Sequence, residues 1–290
     1  MRLTNKLLPG AVLFCLVAVS PIAHLSEAGN KTSGTILVQD ALTTPGQPTR
    51  IEVRLSNHGL LTTKALGGEP LDLLVNGEIV GTGMTGGDGR AFLPYRTKTQ
   101  GVIPIHVRVG TQSRVSTKEG VANLAVWEQR NPIVVIELTA LMKPVTAKSP
   151  SPDIDLQSLS QQKPLPDAAG EIAKLTQFYY RVIYVVSLPS SATDRFRATV
   201  EARAWLKVND FPPGYILMLP PGEETLGAKI DELHQEGWKT IKVGVGRSKA
   251  FAEAFLKRRL EAVMLLKSTT DSAPRRAKIA KDWKEVRKQL

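Results

Sequence analysis

The stretch Ile133-Val134-Val135-Ile136-Glu137-Leu138-Thr139 has the pattern of a core strand that runs out into a polar tip, and it opens the second half of the chain. Downstream, helix and strand patterns alternate. The 3.6-residue spacing predicts helices over 168–179, 193–208, 223–236 and 248–258, the last two stopped by Gly237 and capped by Ser248. Short β-branched or apolar runs predict strands over 182–187, 215–219, 240–245 and 261–266. With the opening stretch these make a five-stranded parallel sheet covered by helices on both faces, an α/β doubly wound arrangement spanning 131–267. Residues 143–166, rich in Pro, Ser, Lys and Gln, read as an exposed or disordered loop insertion.

Working toward the N-terminus, residues 33–127 are patterned as all-β. Ile51-Glu52-Val53-Arg54-Leu55 and Val102 to Val109 alternate apolar and polar residues, as half-buried strands do. Asn76-Gly77 is a strong signal for a two-residue hairpin, because both central positions need positive φ. Roughly seven short strands over about ninety residues suit a β-sandwich. Trp127 to Asn131 leaves little slack between the halves, so the two domains are expected to be held close.

With 290 residues, two domains are expected. Arg2 and Lys6 precede an apolar run from Ala11 to Val19, too short to span a bilayer but suited to a secretory signal over 1–28. Ser26-Glu27-Ala28 is the favoured cleavage region, Ala18-Val19-Ser20 a second one, and a retained anchor the alternative. The only cysteine, Cys15, lies inside that run, so the mature chain would carry no disulfide and no thiol chemistry. Export to a bacterial periplasm or exterior follows. The formal charge of +11 suits an anionic ligand, an envelope polymer or an acidic protein partner. Nucleic acid is not expected, since no aromatic platform accompanies the charge. Residues 273–290 read as a basic helix whose stripe of Ile279, Trp283, Val286 and Leu290 suits docking on the sheet, with contact to a membrane surface as the alternative.

Two resemblances sharpen this reading. Pro45-Gly46-Gln47-Pro48, Val75-Asn76-Gly77, Gly81-Thr82-Gly83 and Asp88-Gly89-Arg90-Ala91 resemble the bacterial immunoglobulin-like domains, which implies a sandwich over the first third. Ser187-Leu188-Pro189-Ser190, Asn209-Asp210-Phe211-Pro212-Pro213-Gly214, Lys229 and Lys242-Val243-Gly244 are placed like motifs of the haloacid-dehalogenase-like phosphohydrolases of the lipin or phosphatidate phosphatase type. That family's first motif, D-x-D-x-T, falls on Val135-Ile136-Glu137-Leu138-Thr139, so its attacking aspartate becomes Val135 and its acid becomes Glu137. Its magnesium carboxylates fall on Val245 and Ala250. The resemblance therefore implies a pseudo-phosphatase with no catalytic residue, no cofactor and no metal ligand.

What the resemblance leaves is a candidate anion pocket made by Thr139, Ser187, Lys229 and the backbone at Gly244 and Gly246, with Glu137 as a vestigial acid paired to Lys229. Each also has a bland reading: Ser187 capping a turn, Thr139 packing a loop, Lys229 solvated. A Mg²⁺-dependent phosphohydrolase acting on a phospholipid or other phosphoester is the alternative function, its spare carboxylates being Asp153, Asp155 and Asp167. His58, His106 and His234 show no metal-ligand spacing, and His234 is expected to face solvent. Asp72 and Asp88 are expected to form turns rather than bind calcium.

Overall fold

The computed structural model of the chain describes residues 31–58, 63–144, 159, 161–187, 192–265 and 273–290. The expected signal segment, Cys15, Leu188-Pro189-Ser190, Asp153, Asp155 and most of the 143–166 insertion lie outside them. The fold class is the expected one: an all-β immunoglobulin-like sandwich followed by a doubly wound parallel sheet.

The sandwich comprises β1 (Thr32–Ser33), β2 (Thr35–Val38), β3 (Ala41–Thr43), β4 (Pro48–His58), β5 (Thr63–Ala65), β6 (Pro70–Val75), β7 (Glu78–Met84), β8 (Arg90–Arg96), β9 (Gly101–Val109), β10 (Val115–Ser116) and β11 (Gly120–Val126). One sheet runs β3-β11-β9-β6-β7; the other is built on the long β4, which pairs with β2, β5 and β8. Period-two alternation decides which side chains meet between them. Ile51, Val53 and Leu55 are buried facing Leu71, Leu73, Ile105 and Val107 in one apolar layer. The β6–β7 turn has φ of 52° at Asn76 and 84° at Gly77, both positive as the hairpin requires.

The second domain comprises β12 (Ile133–Glu137), α1 (Ala168–Phe178), β13 (Arg181–Ser187), α2 (Ala192–Val208), β14 (Tyr215–Leu219), α3 (Glu223–Gln235), β15 (Ile241–Gly246), α4 (Lys249–Leu256), β16 (Glu261–Leu265), β17 (Lys278–Ala280) and α5 (Trp283–Gln289). Every strand pair is parallel and the order is β14-β13-β12-β15-β16-β17. The chain starts at the centre, fills one side, then crosses to the other, so the order reverses between β12 and β15. Val134 and Ile136 face an apolar layer shared with α1, α2 and α5. Val135 faces the opposite layer, shared with α3 and α4. A strand buried on both faces reads as a continuous apolar run, which is the pattern at 133–136.

Three expectations are corrected. The opening strand stops at Glu137 rather than Thr139, because Leu138–Leu141 winds into a 3₁₀ turn that buries Leu138, Ala140 and Leu141. Residues 273–290 are not one helix. Lys278–Ala280 adds a sixth strand alongside β16, and Asp282 and Glu285 then start a short helix: Asp282 Oδ1 accepts from Glu285 N at 2.8 Å, and Glu285 Oε2 accepts from Lys281 N at 2.9 Å. Of the expected stripe, Trp283 and Val286 dock into the core, whereas Ile279 is exposed on β17. Third, the described end of the insertion is bonded to the body: Lys143 N donates to Lys163 O, Leu165 N to Leu141 O, and Trp205 Nε1 to Gln162 O. Among the described residues no helix is long and apolar enough to cross a membrane.

The two domains share a core. Trp127, 1% exposed, and Ala125 of β11 belong to the same apolar layer as Ile133, Leu233 and Trp238. A buried tryptophan at the junction accounts for the short connection read from the sequence.

Candidate functional site

In a doubly wound sheet the ligand crevice lies beyond the carboxyl ends of the strands, where the strand order reverses. Here that point lies between the ends of β12 and β15. Glu137, the last residue of β12, sits there 6% exposed. Its Oε2 accepts from the backbone N–H of Arg247 at 2.6 Å and of Ser248 at 2.9 Å, and its Oε1 accepts from Ser248 Oγ at 2.6 Å. Ser248 Oγ in turn accepts from Phe251 N at 3.2 Å, capping α4. The carboxylate therefore lies on the positive end of a helix among converging donors, the arrangement that elsewhere holds a phosphate or another anion. In this chain the anion is supplied by a side chain of the protein itself.

The other predicted residues divide. Val135 is 2% exposed in the apolar layer under α3 and α4, and Val245 is fully buried on the opposite face. Thr139 lies in the 3₁₀ turn with a buried hydroxyl that finds no hydrogen-bond partner among the described residues. Ser187 ends β13, half-buried, opposite Leu219. Lys229 does not pair with Glu137: its Nζ lies 2.7 Å from Glu232 Oε1, one turn along α3, while both Glu137 oxygens are bonded at the start of α4. Gly244 and Gly246 serve packing. A Cβ at Gly244 would collide with the Phe255 ring and one at Gly246 with the Phe251 ring, so both glycines let α4 lie close on β15. The two rings tilt together with centroids 5.1 Å apart. Their i, i+4 spacing was readable in the sequence.

The motif resemblance to the haloacid-dehalogenase-like phosphohydrolases implies Mg²⁺ at this crevice. The residues present do not fit it. Val135, Val245 and Ala250 offer no side-chain oxygen, and the Glu137 oxygens already accept three protein hydrogen bonds. Among the described residues no group of three or more His, Cys, Asp or Glu is placed to hold a metal ion.

Two further features join the domains, of which Asp40 was not foreseen and the second was noted only as a motif. Asp40, whose side chain is fully buried, joins the domains: Oδ1 accepts from Asn123 N at 2.9 Å and from the Arg203 guanidinium, and Oδ2 accepts from Ile216 N at 3.2 Å. Burial pushes its carboxyl above the usual range, with Arg203 and the two backbone N–H groups opposing. The second is the Phe211-Pro212-Pro213-Gly214 turn. Phe211 stacks on Trp205 at 5.3 Å, Tyr184 Oη donates to Pro212 O at 2.9 Å, and Asn123 Nδ2 of the sandwich donates to Gly214 O at 3.4 Å. The turn is a structural joint between the domains. His234 is half-buried against Ile241 O at 2.9 Å rather than facing solvent. Asp88 forms its turn through Arg90 N, and Asp72 pairs with Arg108.

No family model matches the chain, and no curated protein matches it. Among solved structures it is similar to a D,D-heptose 1,7-bisphosphate phosphatase from B. bronchiseptica complexed with magnesium and phosphate, at 16% identity and a TM-score of 0.41, over 55% of this chain and 97% of that one. The corresponding enzyme from Burkholderia thailandensis matches at 12% identity and a TM-score of 0.39 over the same shares. A D0-D1 domain of intimin matches at 14% identity and a TM-score of 0.24, over 32% of this chain and 46% of that one.

Proposed function

We propose that the chain is an exported, non-catalytic binding or scaffolding protein of the bacterial envelope, whose haloacid-dehalogenase-like domain is a pseudo-phosphatase. The observation that carries this reading is the Glu137 carboxylate lodged on the start of α4, in the place where such a fold would seat a phosphoryl group. A phosphate entering that crevice would have to displace three charge-assisted hydrogen bonds and then share the space with a like charge. The neighbouring position that would attack phosphorus is a buried valine. Export rests on the charged-then-apolar pattern of residues 1–28; the chain's charge of +11, of which that segment holds only Arg2 and Lys6 against Glu27, gives the mature protein an affinity for anionic envelope components.

Incubation of the protein with a generic phosphomonoester and Mg²⁺ tests the reading. No hydrolysis above the buffer rate is expected, and Glu137→Gln should leave that result unchanged. Turnover that is lost in Glu137→Gln would establish the Mg²⁺-dependent phosphohydrolase instead.

A further inference from the structure

We propose a ligand site at the amino ends of β16 and β17, at the opposite end of the strands from Glu137, that takes a small anionic amphiphile: an oxyanion headgroup on an aliphatic tail. A cavity of about 520 Å³ opens where α4 ends and where β16 and β17 begin. Arg259 and Arg276 stand over it, and Leu256, Leu260 and the buried Ala262 supply its apolar lining. Its one acid among the described residues, Glu261, is matched by Lys278 Nζ at 2.6 Å. Neither Arg259 nor Arg276 has an ion-pair partner among the described residues, and both are exposed. The cavity therefore carries a net excess of two guanidinium groups above hydrocarbon. Guanidinium forks grip carboxylate or phosphate oxygens through paired N–H bonds, and the leucines offer the tail a place out of water.

The backbone at Arg259 supports a role for that side chain. Helix α4 ends with Arg259 N donating to Leu256 O and Leu260 N donating to Phe255 O, both at 3.1 Å, which is the Schellman pattern. Arg259 occupies its left-handed position, with φ of 60°, where glycine is favoured because a Cβ is strained. Arginine there gains from the negative helix end. It also places its guanidinium at the mouth of the cavity.

The strain makes the site testable without the ambiguity of unfolding. Calorimetric titration of the full chain with hexyl phosphate should show saturable binding. Inorganic phosphate should bind at least about tenfold more weakly, and hexanol not at all. Arg259→Gly removes the cation and relieves the strained φ, so melting temperature should hold or rise while affinity for hexyl phosphate falls about tenfold. Arg276→Gln should weaken it similarly. The proposal is overturned by absent binding, by equal affinity for inorganic phosphate and hexyl phosphate, or by affinity indifferent to both substitutions. It extends the binding reading given above, yet its failure is separable: the titration is run without Mg²⁺, so phosphomonoester turnover in Mg²⁺ would overturn that reading, whereas only binding weakened by Arg259→Gly and Arg276→Gln reports on this cavity.

Discussion

Asp40→Ala is expected to cost about 3–5 kcal/mol of stability, the range found when one partner of a buried ion pair is removed. The side chain of Asp40 is fully buried and that of Arg203 is 13% exposed, so water cannot replace the lost carboxylate. Removing it strands the Arg203 guanidinium, which keeps a bond to Val121 O, and leaves the N–H groups of Asn123 and Ile216 without their acceptor. Those two amides belong to β11 and β14, one in each domain. The loss should therefore loosen the joint as well as lower the total, and a urea titration followed by tryptophan fluorescence should broaden or split. An unchanged, single transition would contradict the account of the joint. The sign with pH is also set. Burial raises the Asp40 pKa, so its contribution is fully present below the ordinary aspartate value and declines as pH climbs through the folded value. The gap between wild type and variant should narrow in that direction.

The second large effect follows from placing at Val135 the aspartate that the resembled phosphohydrolases carry there. Val135→Asp would place a carboxyl at a position 2% exposed, in the layer that holds Leu226, Ile230 and Phe255. The group would stay protonated rather than carry an unpaired buried charge. Holding a proton about three units above an ordinary aspartate pKa, at 1.36 kcal/mol per unit, costs about 4 kcal/mol at neutral pH. The folded pKa is raised in this variant, so the deficit grows as pH rises from about 4 toward 7 and shrinks on acidification. Equilibrium denaturation at two pH values reads this directly, and no phosphatase activity should appear. A variant as stable as wild type that gains turnover would show that the position faces the crevice after all.

What was legible in the sequence was local. The 133–136 run, the Asn76-Gly77 turn and the Ser248 cap each declare themselves within a few residues, since their causes are neighbouring backbone and side-chain groups. What was illegible depends on distant partners. Asp40 is bonded to groups 83, 163 and 176 positions away, and nothing beside it in the chain hints at burial. Glu137 was singled out, but its partners, 110 and 111 positions on, could not be read; charge alone suggested Lys229, which finds Glu232 one turn along its own helix instead. The β17 error has a similar source. Of Lys278, Ile279 and Ala280 only Ile279 favours a strand, and pairing to β16 overrode the helical pattern around them. Gly244 and Gly246 stand in the sequence as backbone donors to an anion; that their lack of side chains also answers to two aromatic rings on the next helix was not legible there.

Magnesium titration of the full chain by calorimetry asks whether the crevice is closed by its own carboxylate. No saturable heat is expected for wild type, and none for Glu137→Gln. Tight, stoichiometric Mg²⁺ binding by wild type that disappears in Glu137→Gln would mean that the crevice is open to metal and that Glu137 is a ligand.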